Sequence, residues 1–220
     1  MTNSVDMQQA EPSGTPEAPP LDETARRILA AASKRFHHYG YGKTTMSEIA
    51  GDCNMSTGNL YRYFPSKLDI AEAFARQLRR HQIAELVKAA AEPDLSPEER
   101  LRHVLKTKFR LAYHRWHNNP KAYELTQEIL TERPHFAVEW EAAEGEVLAG
   151  VLEQGAAAGV FETCDQVRRA RIVQDAVFRF TSPAVFHEGE YEILSRELHE
   201  VISVLLDGFA FRAQGGARPK

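Results

Sequence analysis

The stretch TTMSEIAGDCNMSTGNLYRYFPSK, residues 44–67, decides the fold predicted for the first part of the chain. Thr45 followed three positions later by Glu48 is the pattern of a capping box, which opens a helix by satisfying its first backbone N–H groups. Ser56 has the side chain of a second N-cap, so the stretch holds two short helices. Asn54 lies between them, and asparagine tolerates the left-handed conformation that a tight corner requires. Two short helices joined in this way predict a helix-turn-helix, whose second helix can enter the major groove of DNA.

The two short helices each have an apolar face and a polar face. The apolar residues recur at helical spacing and are predicted to hold the helices together: Met46, Ile49, Cys53, Leu60 and Phe64. The opposite face is short and polar, which permits close approach to DNA, and the starts of helices favour phosphate oxygens. We expect Tyr63 to pack and Tyr61 to reach a phosphate. The predicted DNA-binding residues, all facing outward, are Thr44, Thr45, Ser56, Thr57, Gly58, Asn59, Tyr61, Arg62 and Lys67.

The same residues resemble the TetR family of transcriptional repressors. The resemblance is carried by Gly42-Lys43-Thr44-Thr45, by Ile49-Ala50 and by the run from Met55 to Lys67, and it is specific over residues 24–72. It implies a DNA-binding domain followed by a helical body that dimerises as a four-helix bundle. It also implies DNA contacts from Thr44 or Thr45, Thr57, Asn59, Tyr61 and Lys67. One departure is visible, because the turn commonly carries glycine where this chain has Asn54.

The rest of the chain has the periodicity of helices. Apolar residues recur with a period near 3.6 after the first 20 residues, and no alternating strand pattern is found. We therefore predict an all-α fold of about nine helices, in which one helix from Ser66 to about Ala91 joins the two parts without a flexible linker. The predicted divisions are a disordered tail at 1–20, a helix-turn-helix DNA-binding domain at 21–67, a ligand-binding and dimerisation domain at 68–213 and a disordered tail at 214–220.

Charge is distributed in the way that DNA binding requires. The whole chain has a formal net charge of −4. Residues 22–67 nevertheless hold seven bases and four acids, so the positive field lies where the phosphate contacts are predicted. The first 21 residues contain three acids and no base, and they lack the apolar core of a secretory signal. With two widely separated cysteines and no membrane-length apolar run, we expect a cytoplasmic protein with no membrane partner.

The middle of the chain is rich in aromatic residues. Aromatic walls with a few polar groups suit a small organic ligand, so an apolar or aromatic effector is predicted. The residues predicted to bind it are Phe109, Tyr113, His114, Trp116, His117, Phe136, Trp140 and Phe178.

The last two helices, predicted at about 165–186 and 190–212, have apolar stripes wider than a single surface helix needs. Their own core explains part of each stripe, and a homodimer explains the rest. Two recognition helices in a dimer would meet half-sites of a palindromic double-stranded operator. The residues predicted to form the dimer interface are Ile172, Val173, Val177, Phe180, Leu194, Leu198, Val201, Ile202, Leu205 and Phe209.

These features favour a ligand-responsive DNA-binding regulator, a repressor released from its operator by an effector. The alternative is a helical enzyme, with or without a metal ion, that carries an accessory DNA-binding module. It rests on the histidine supply, above all on His114-x-x-His117, which has metal-ligand spacing. No carboxylate or thiol stands at a matching spacing, and no phosphate loop or nucleophile elbow is present. We therefore predict no catalytic residue, no metal and no cofactor. A scaffold that binds only protein is disfavoured by the polar face at residues 57–61.

Overall fold

The computed structural model describes residues 22–117, 120–182 and 190–213 of the 220-residue chain. Across these ranges the chain forms nine α-helices and one turn of 3-10 helix and contains no strand, as the sequence predicts. The predicted tails at 1–20 and 214–220 lie outside the described residues. The helices are α1 (Glu23–Tyr39), α2 (Met46–Asp52), α3 (Thr57–Tyr63), α4 (Lys67–Ala90), α5 (Pro97–His117), α6 (Pro120–Glu132), α7 (Pro134–Ala157), α8 (Gln166–Val177), the 3-10 turn Phe178–Phe180 and α9 (Tyr191–Ala213).

The first helices begin at the caps that the sequence predicts. The capping box of α2 is complete, because the Thr45 hydroxyl accepts from the backbone N–H of Glu48 and the Glu48 carboxylate accepts from that of Thr45. Ser56 caps α3 and Ser66 caps α4. Asn54 turns the corner between α2 and α3 with φ 51°, in the left-handed region. The local sequence therefore sets these boundaries.

One later boundary has a local cause, and another differs from the prediction. Helix α6 ends at Glu132, and Pro134 is the first residue of α7, where proline's missing N–H and fixed φ are tolerated. The helix predicted at 165–186 ends at Val177 and tightens into the 3-10 turn. Its last predicted residues, from 183 onward, lie outside the described part of the chain.

The buried apolar side chains form two cores. The amino-terminal core contains Ile28, Leu29, Phe36, Ile49, Leu60, Phe64, Ile70, Ala75, Leu125, Ile129 and Phe136 among others. The carboxy-terminal core contains Leu86, Leu101, Leu105, Phe109, Leu148, Leu152, Val173, Leu194, Leu198 and Ile202 among others. The boundary predicted at residue 67 does not coincide with a gap between the cores, because α6 and the start of α7 pack with α1 and α4 in the amino-terminal core.

Helix α4 belongs to both cores. Its 24 residues span about 36 Å at 1.5 Å per residue. Ile70 and Ala75 pack in the amino-terminal core, and Leu86 and Ala89 pack in the carboxy-terminal core. Any shift in one core that moves α4 is therefore transmitted to the other.

Ion pairs fasten the first half of α4 to α7. Three arginines and three carboxylates alternate along this contact, and all six side chains keep some exposure to solvent. The pairs are Arg133–Asp69 at 3.0 Å, Arg133–Glu72 at 3.0 Å, Arg76–Glu72 at 2.9 Å, Arg76–Glu139 at 2.7 Å and Arg79–Glu139 at 3.3 Å. The cluster is balanced in formal charge, so it leaves no carboxylate over for a further cation.

Candidate nucleic-acid interface and helical body

The helix-turn-helix is held rigidly on α1. Ile49 and Leu60 are fully buried in the amino-terminal core, as their spacing predicts. Outside the core, the Arg35 guanidinium binds both oxygens of Asp52, at 2.5 and 2.9 Å, and pairs with Glu48 at 3.3 Å. These contacts hold the pKa of both carboxyls below their ordinary values, with the hydrogen bond from Arg35 the main cause for Asp52 and that from Thr45 for Glu48.

The exposed side of α3 is the recognition face, which we define as residues 57–62 without Leu60. Tyr61 is 49% exposed and Arg62 also faces solvent. Gly58 is exposed, and a Cβ added there would meet nothing within 4 Å. Thr57 and Asn59 are half-buried at the helix start. A tyrosine and an arginine thus project from a face that is otherwise low enough for DNA to approach.

Two predicted DNA-binding residues are placed differently. Thr44 was expected to face outward, and this is wrong: it is buried, and its hydroxyl donates to the carbonyl oxygen of Gly40 at 2.9 Å. Lys67 is half-buried, its Nζ donates to the carbonyl oxygen of Tyr41 at 2.7 Å, and the ammonium lies 4.1 Å from the Tyr41 ring centroid. Burial lowers the pKa of Lys67. The ammonium is therefore held against Tyr41, and one of its three N–H donors is engaged there.

The other predicted positions keep their expected exposure, with one change. Thr45 and Ser56 are exposed but act as caps, and the Thr45 hydroxyl also donates to the Glu48 carboxylate at 2.8 Å. Tyr63, expected to pack, is exposed instead, because α3 buries only Leu60. The face offered to solvent by α3 is therefore richer in tyrosine than the sequence pattern suggested.

Between the two cores lies a polar layer, which we define as Gln82, Lys108, Arg115, Trp140 and Glu144. Lys108 Nζ and Glu144 Oε2 are 2.8 Å apart, and both side chains are only 7% exposed. Trp140 Nε1 donates to Glu144 Oε1 at 2.9 Å, and the Gln82 amide donates to the same oxygen. Arg115 Nη2 donates to Gln82 Oε1 at 2.5 Å. The layer joins α4, α5 and α7, and the sequence analysis missed it.

Arg115 is the least compensated member of the polar layer. Its guanidinium lies 5.8 Å from the ring centroid of Trp116 and 5.4 Å from that of Trp140. Trp116 packs against the carboxy-terminal core and Trp140 against the amino-terminal core. Burial lowers the pKa of Arg115 to about 10, and the Glu144 charge opposes this only partly. The half-buried guanidinium thus lies near two indole rings, with a neutral amide as its hydrogen-bond acceptor.

The eight residues predicted to line one ligand pocket do not surround a common space. Phe109 and Tyr113 are buried in the carboxy-terminal core, whereas Phe136 is buried in the amino-terminal core and Trp140 packs against it. Phe178 is 64% exposed. The predicted residues therefore divide between the two cores, because a 3.6-residue period does not show which core an aromatic side chain enters.

The two histidines of the predicted pocket lie on the exposed side of α5. His114 is stacked near Tyr191, with ring centroids 5.8 Å apart, and His117 is stacked on Tyr113 at 4.6 Å. Within the described ranges, no group of three or more His, Cys, Asp or Glu side chains could hold a metal ion. Beside these rings an open cleft of about 340 Å³ separates α5 from α9, and it is lined by Lys106, Tyr191, Glu192, Ser195, Arg196 and His199.

The predicted dimer interface divides into buried and exposed residues. Six of its members face the protomer's own core, so the prediction is wrong for them: Val173, Val177, Phe180, Leu194, Leu198 and Ile202. Val201, Leu205 and Phe209 are half-buried, and Ile172 is exposed. The outer faces of α8 and α9 also expose Val167, Ile193 and Val204, which the prediction did not include.

Two further properties concern the chain as a whole. Cys53 is buried, which raises the pKa of its thiol, and Cys164 is exposed; neither forms a disulfide. None of the described helices combines the length and the apolar composition needed to span a membrane.

Two family models match the chain. Residues 28–74 match "Bacterial regulatory proteins, tetR family", and residues 97–202 match "Tetracyclin repressor-like, C-terminal domain". The first match covers the helix-turn-helix and the start of α4, and the second covers most of the helical body. The two matched segments lie on either side of the second half of α4.

Curated and structural relatives agree with these matches. The HTH-type transcriptional regulator HbdR of Aromatoleum sp. (strain CIB) is 42% identical over 50 residues, which are 23% of this chain and 22% of that protein. The alignment therefore spans only about a fifth of that curated relative. A transcriptional regulator from Cytophaga hutchinsonii superposes with a TM-score of 0.63 at 24% identity, covering 86% of this chain and 100% of the other. FadR of Thermus thermophilus, solved with lauroyl-CoA, has a TM-score of 0.61 at 25% identity, covering 84% and 94%.

Proposed function

Because the chain belongs to the TetR family of bacterial transcriptional regulators, we propose that it represses transcription as a homodimer and leaves its operator when a small molecule binds the helical body. The observation that carries this proposal is the recognition face of α3. Tyr61 and Arg62 project from it while Leu60 anchors the helix in the core. The five residues that we propose to contact DNA from exposed or half-buried positions there are Thr57, Gly58, Asn59, Tyr61 and Arg62.

The proposed dimer face is the outer surface of α8 and α9. Ile172 and Val204 are exposed on it, and Val204 is 72% exposed. The solvent side of α8 carries Arg171, whereas that of α9 carries Glu200. In a twofold dimer each α8 can meet the partner's α9, so these opposite charges would face each other around an apolar centre. This face replaces the buried residues that the sequence analysis proposed.

The effector is proposed to act on the body through α4. Helix α4 passes from the amino-terminal core to the carboxy-terminal core, so a ligand that favours one packing of the body also favours one position of the recognition face. The likeness to FadR, which was solved with lauroyl-CoA, supports an effector with an acyl chain. Release would follow because the two recognition faces no longer match the spacing of the half-sites.

The DNA contacts are tested by binding of the full chain to the DNA upstream of its own gene. Tyr61→Ala should weaken binding roughly 5- to 10-fold for each protomer, because one exposed hydrogen bond and its ring contact are lost. Tyr39→Ala is the matched control, since Tyr39 is also an exposed tyrosine but lies at the end of α1. Equal losses in both variants, or unchanged binding by Tyr61→Ala, would contradict the proposed face.

The dimer face is tested by placing a charge at its centre. Val204→Asp should convert the dimer to a monomer in sedimentation experiments, since an unpaired carboxylate would be buried between the subunits. Val87→Asp is the control, because Val87 is also an exposed valine but lies on α4. A Val204→Asp protein that stays dimeric would place the interface elsewhere.

A further inference from the structure

Resting on the proposed function, the inference concerns the chemical class of the effector. We propose that the effector is an anion whose acidic group pairs with the Arg115 guanidinium between Trp116 and Trp140. The aromatic residues of the sequence predict an apolar or aromatic effector. The polar layer adds a requirement for negative charge, which either a carboxylate or a phosphate can satisfy.

The charges of the polar layer do not balance. Lys108 and Arg115 are two cations beside one carboxylate, Glu144, and Lys108 already pairs with Glu144 at 2.8 Å. Glu144 also accepts from Trp140 and from Gln82, so its oxygens are engaged. Arg115 itself reaches the amide oxygen of Gln82 and forms no ion pair with a described residue. One positive charge is therefore left over in a partly buried place.

The neighbouring ion pairs do not supply the missing carboxylate. Glu139, the member of that cluster nearest in sequence to Trp140, is already shared by Arg76 and Arg79. The cluster as a whole has three arginines and three carboxylates, as described above. An anion brought by a ligand would remove the imbalance, because a charge-assisted hydrogen bond to a guanidinium is stronger than one to a neutral amide.

The surroundings of Arg115 suit an anion that carries an apolar group. Two indole rings lie within 6 Å of the guanidinium, one packed against each core. An acidic group that binds Arg115 would place its apolar part against these rings or in the core beyond them. Small-molecule sites combine apolar walls with a few polar groups in the same way.

The same contact provides a route to α4. Gln82 is the α4 residue that accepts from Arg115 and donates to Glu144. An anion that takes the Arg115 hydrogen bond leaves Gln82 Oε1 without this donor, so Gln82 loses one of its two hydrogen bonds to α5 and α7. Effector binding would thus loosen the helix that joins the body to the recognition face.

The chain contains a built-in reporter for this site. Trp116 and Trp140 are its two tryptophans, and both lie beside Arg115. Intrinsic tryptophan fluorescence of the full chain can therefore follow titration with decanoate, decanoyl-CoA and the uncharged 1-decanol. We expect saturable changes with decanoate or decanoyl-CoA, and at least tenfold weaker binding of 1-decanol. Preference for decanoate identifies a carboxylate ligand, and preference for decanoyl-CoA identifies phosphates.

Variants test whether the anion binds the Arg115 guanidinium itself or responds to any positive charge on α5. Arg115→Gln should weaken anion binding roughly 10- to 100-fold, because one charged hydrogen-bonding partner is lost. Arg115→Lys should recover part of the affinity, and Arg110→Gln, which removes an exposed cation of the same helix, should leave it unchanged. Equal binding of 1-decanol and decanoate by the native chain, no response to either anion, or full binding by a folded Arg115→Gln protein would overturn the inference.

A final measurement keeps the inference distinct from the proposed function. Ligand-free Arg115→Gln lacks the guanidinium that donates to Gln82, so we expect it to bind the upstream DNA more weakly than the ligand-free native chain, as the native chain with a bound anion does. If the native chain binds DNA while neither anion binds it, the inference fails and the repressor stands. If the native chain binds no operator, the proposed function fails whatever the anions do.

Discussion

Lys108 and Glu144 form a buried ion pair, and we expect the removal of either partner to destabilise the protein by a different amount. Removing one partner of a buried ion pair costs about 3–5 kcal/mol, because the other charge stays desolvated. Lys108→Met leaves Glu144 with Arg115 one amide away, so partial compensation remains and we expect a loss near 3 kcal/mol. Glu144→Gln instead leaves two cations, Lys108 and Arg115, without a carboxylate. We expect that loss to be near 5 kcal/mol.

The double variant Lys108→Met/Glu144→Gln should recover most of the stability. Its glutamine still offers an oxygen to Gln82 and Trp140, and replacing both members of a buried pair is often close to neutral. The control is Lys106→Met on the exposed side of the same helix, which should change stability by less than about 0.5 kcal/mol.

Thermal and urea unfolding followed by circular dichroism, at one fixed protein concentration, measures these differences. A domain of this size shifts its Tm by about 2–4 °C per kcal/mol, so we expect losses of about 6–12 °C for Lys108→Met and 10–20 °C for Glu144→Gln. A double variant no more stable than Glu144→Gln, or a Lys108→Met protein less stable than Glu144→Gln, would refute the charge count given for the polar layer.

Three other outcomes follow from single contacts. Gly155→Ala should destabilise the protein by about 1–3 kcal/mol in the same unfolding assay, because its Cβ would overlap the Phe161 ring. Gly150→Ala in the same helix meets nothing within 4 Å and should instead stabilise it by up to about 1 kcal/mol; the reverse order of these two variants would contradict the packing of α7. Thr45→Ala should cost about 1 kcal/mol through the lost cap. Hydrogen bonds from Thr45 lower the pKa of Glu48, so this carboxylate's contribution is present at neutral pH and is lost as the pH falls through its lowered folded-state pKa. The difference in unfolding free energy between the native chain and Thr45→Ala should therefore become smaller in acid. If it becomes larger instead, the capping box is not the source of the difference.

Features set by neighbouring residues were predictable from the sequence. The capping box at Thr45, the caps at Ser56 and Ser66 and the corner at Asn54 depend on contacts within a few positions, and all four are confirmed. The prediction for Thr44 is wrong because the burial of this side chain depends on the path of the loop, which brings the Gly40 carbonyl to its hydroxyl. The neighbouring sequence does not show whether a threonine beside a predicted cap is buried or exposed.

The body was harder because its helices have neighbours on several sides. The stripe of α9 at Leu194, Leu198 and Ile202 faces the protomer's own core, and periodicity alone cannot tell that core from a partner subunit. The polar layer did leave a signal. Lys108 follows Val104 by one turn in the buried stripe of α5, and Glu144 precedes Leu148 by one turn in that of α7. A charged residue within an apolar stripe indicates a buried partner on another helix.

The packing of α6 against the amino-terminal core has a consequence for biosynthesis. Leu125, Ile129 and Phe136 complete that core, although they follow α3 by more than sixty positions in the chain. At about 5–20 residues per second, the ribosome needs several seconds to supply them after α3 has been made. Until then the apolar side chains of α1 and α4 that pack against these residues stay exposed to solvent. A fragment that ends with α4 would leave them exposed permanently, so a chimera carrying this recognition helix must also carry α6 and the first turns of α7.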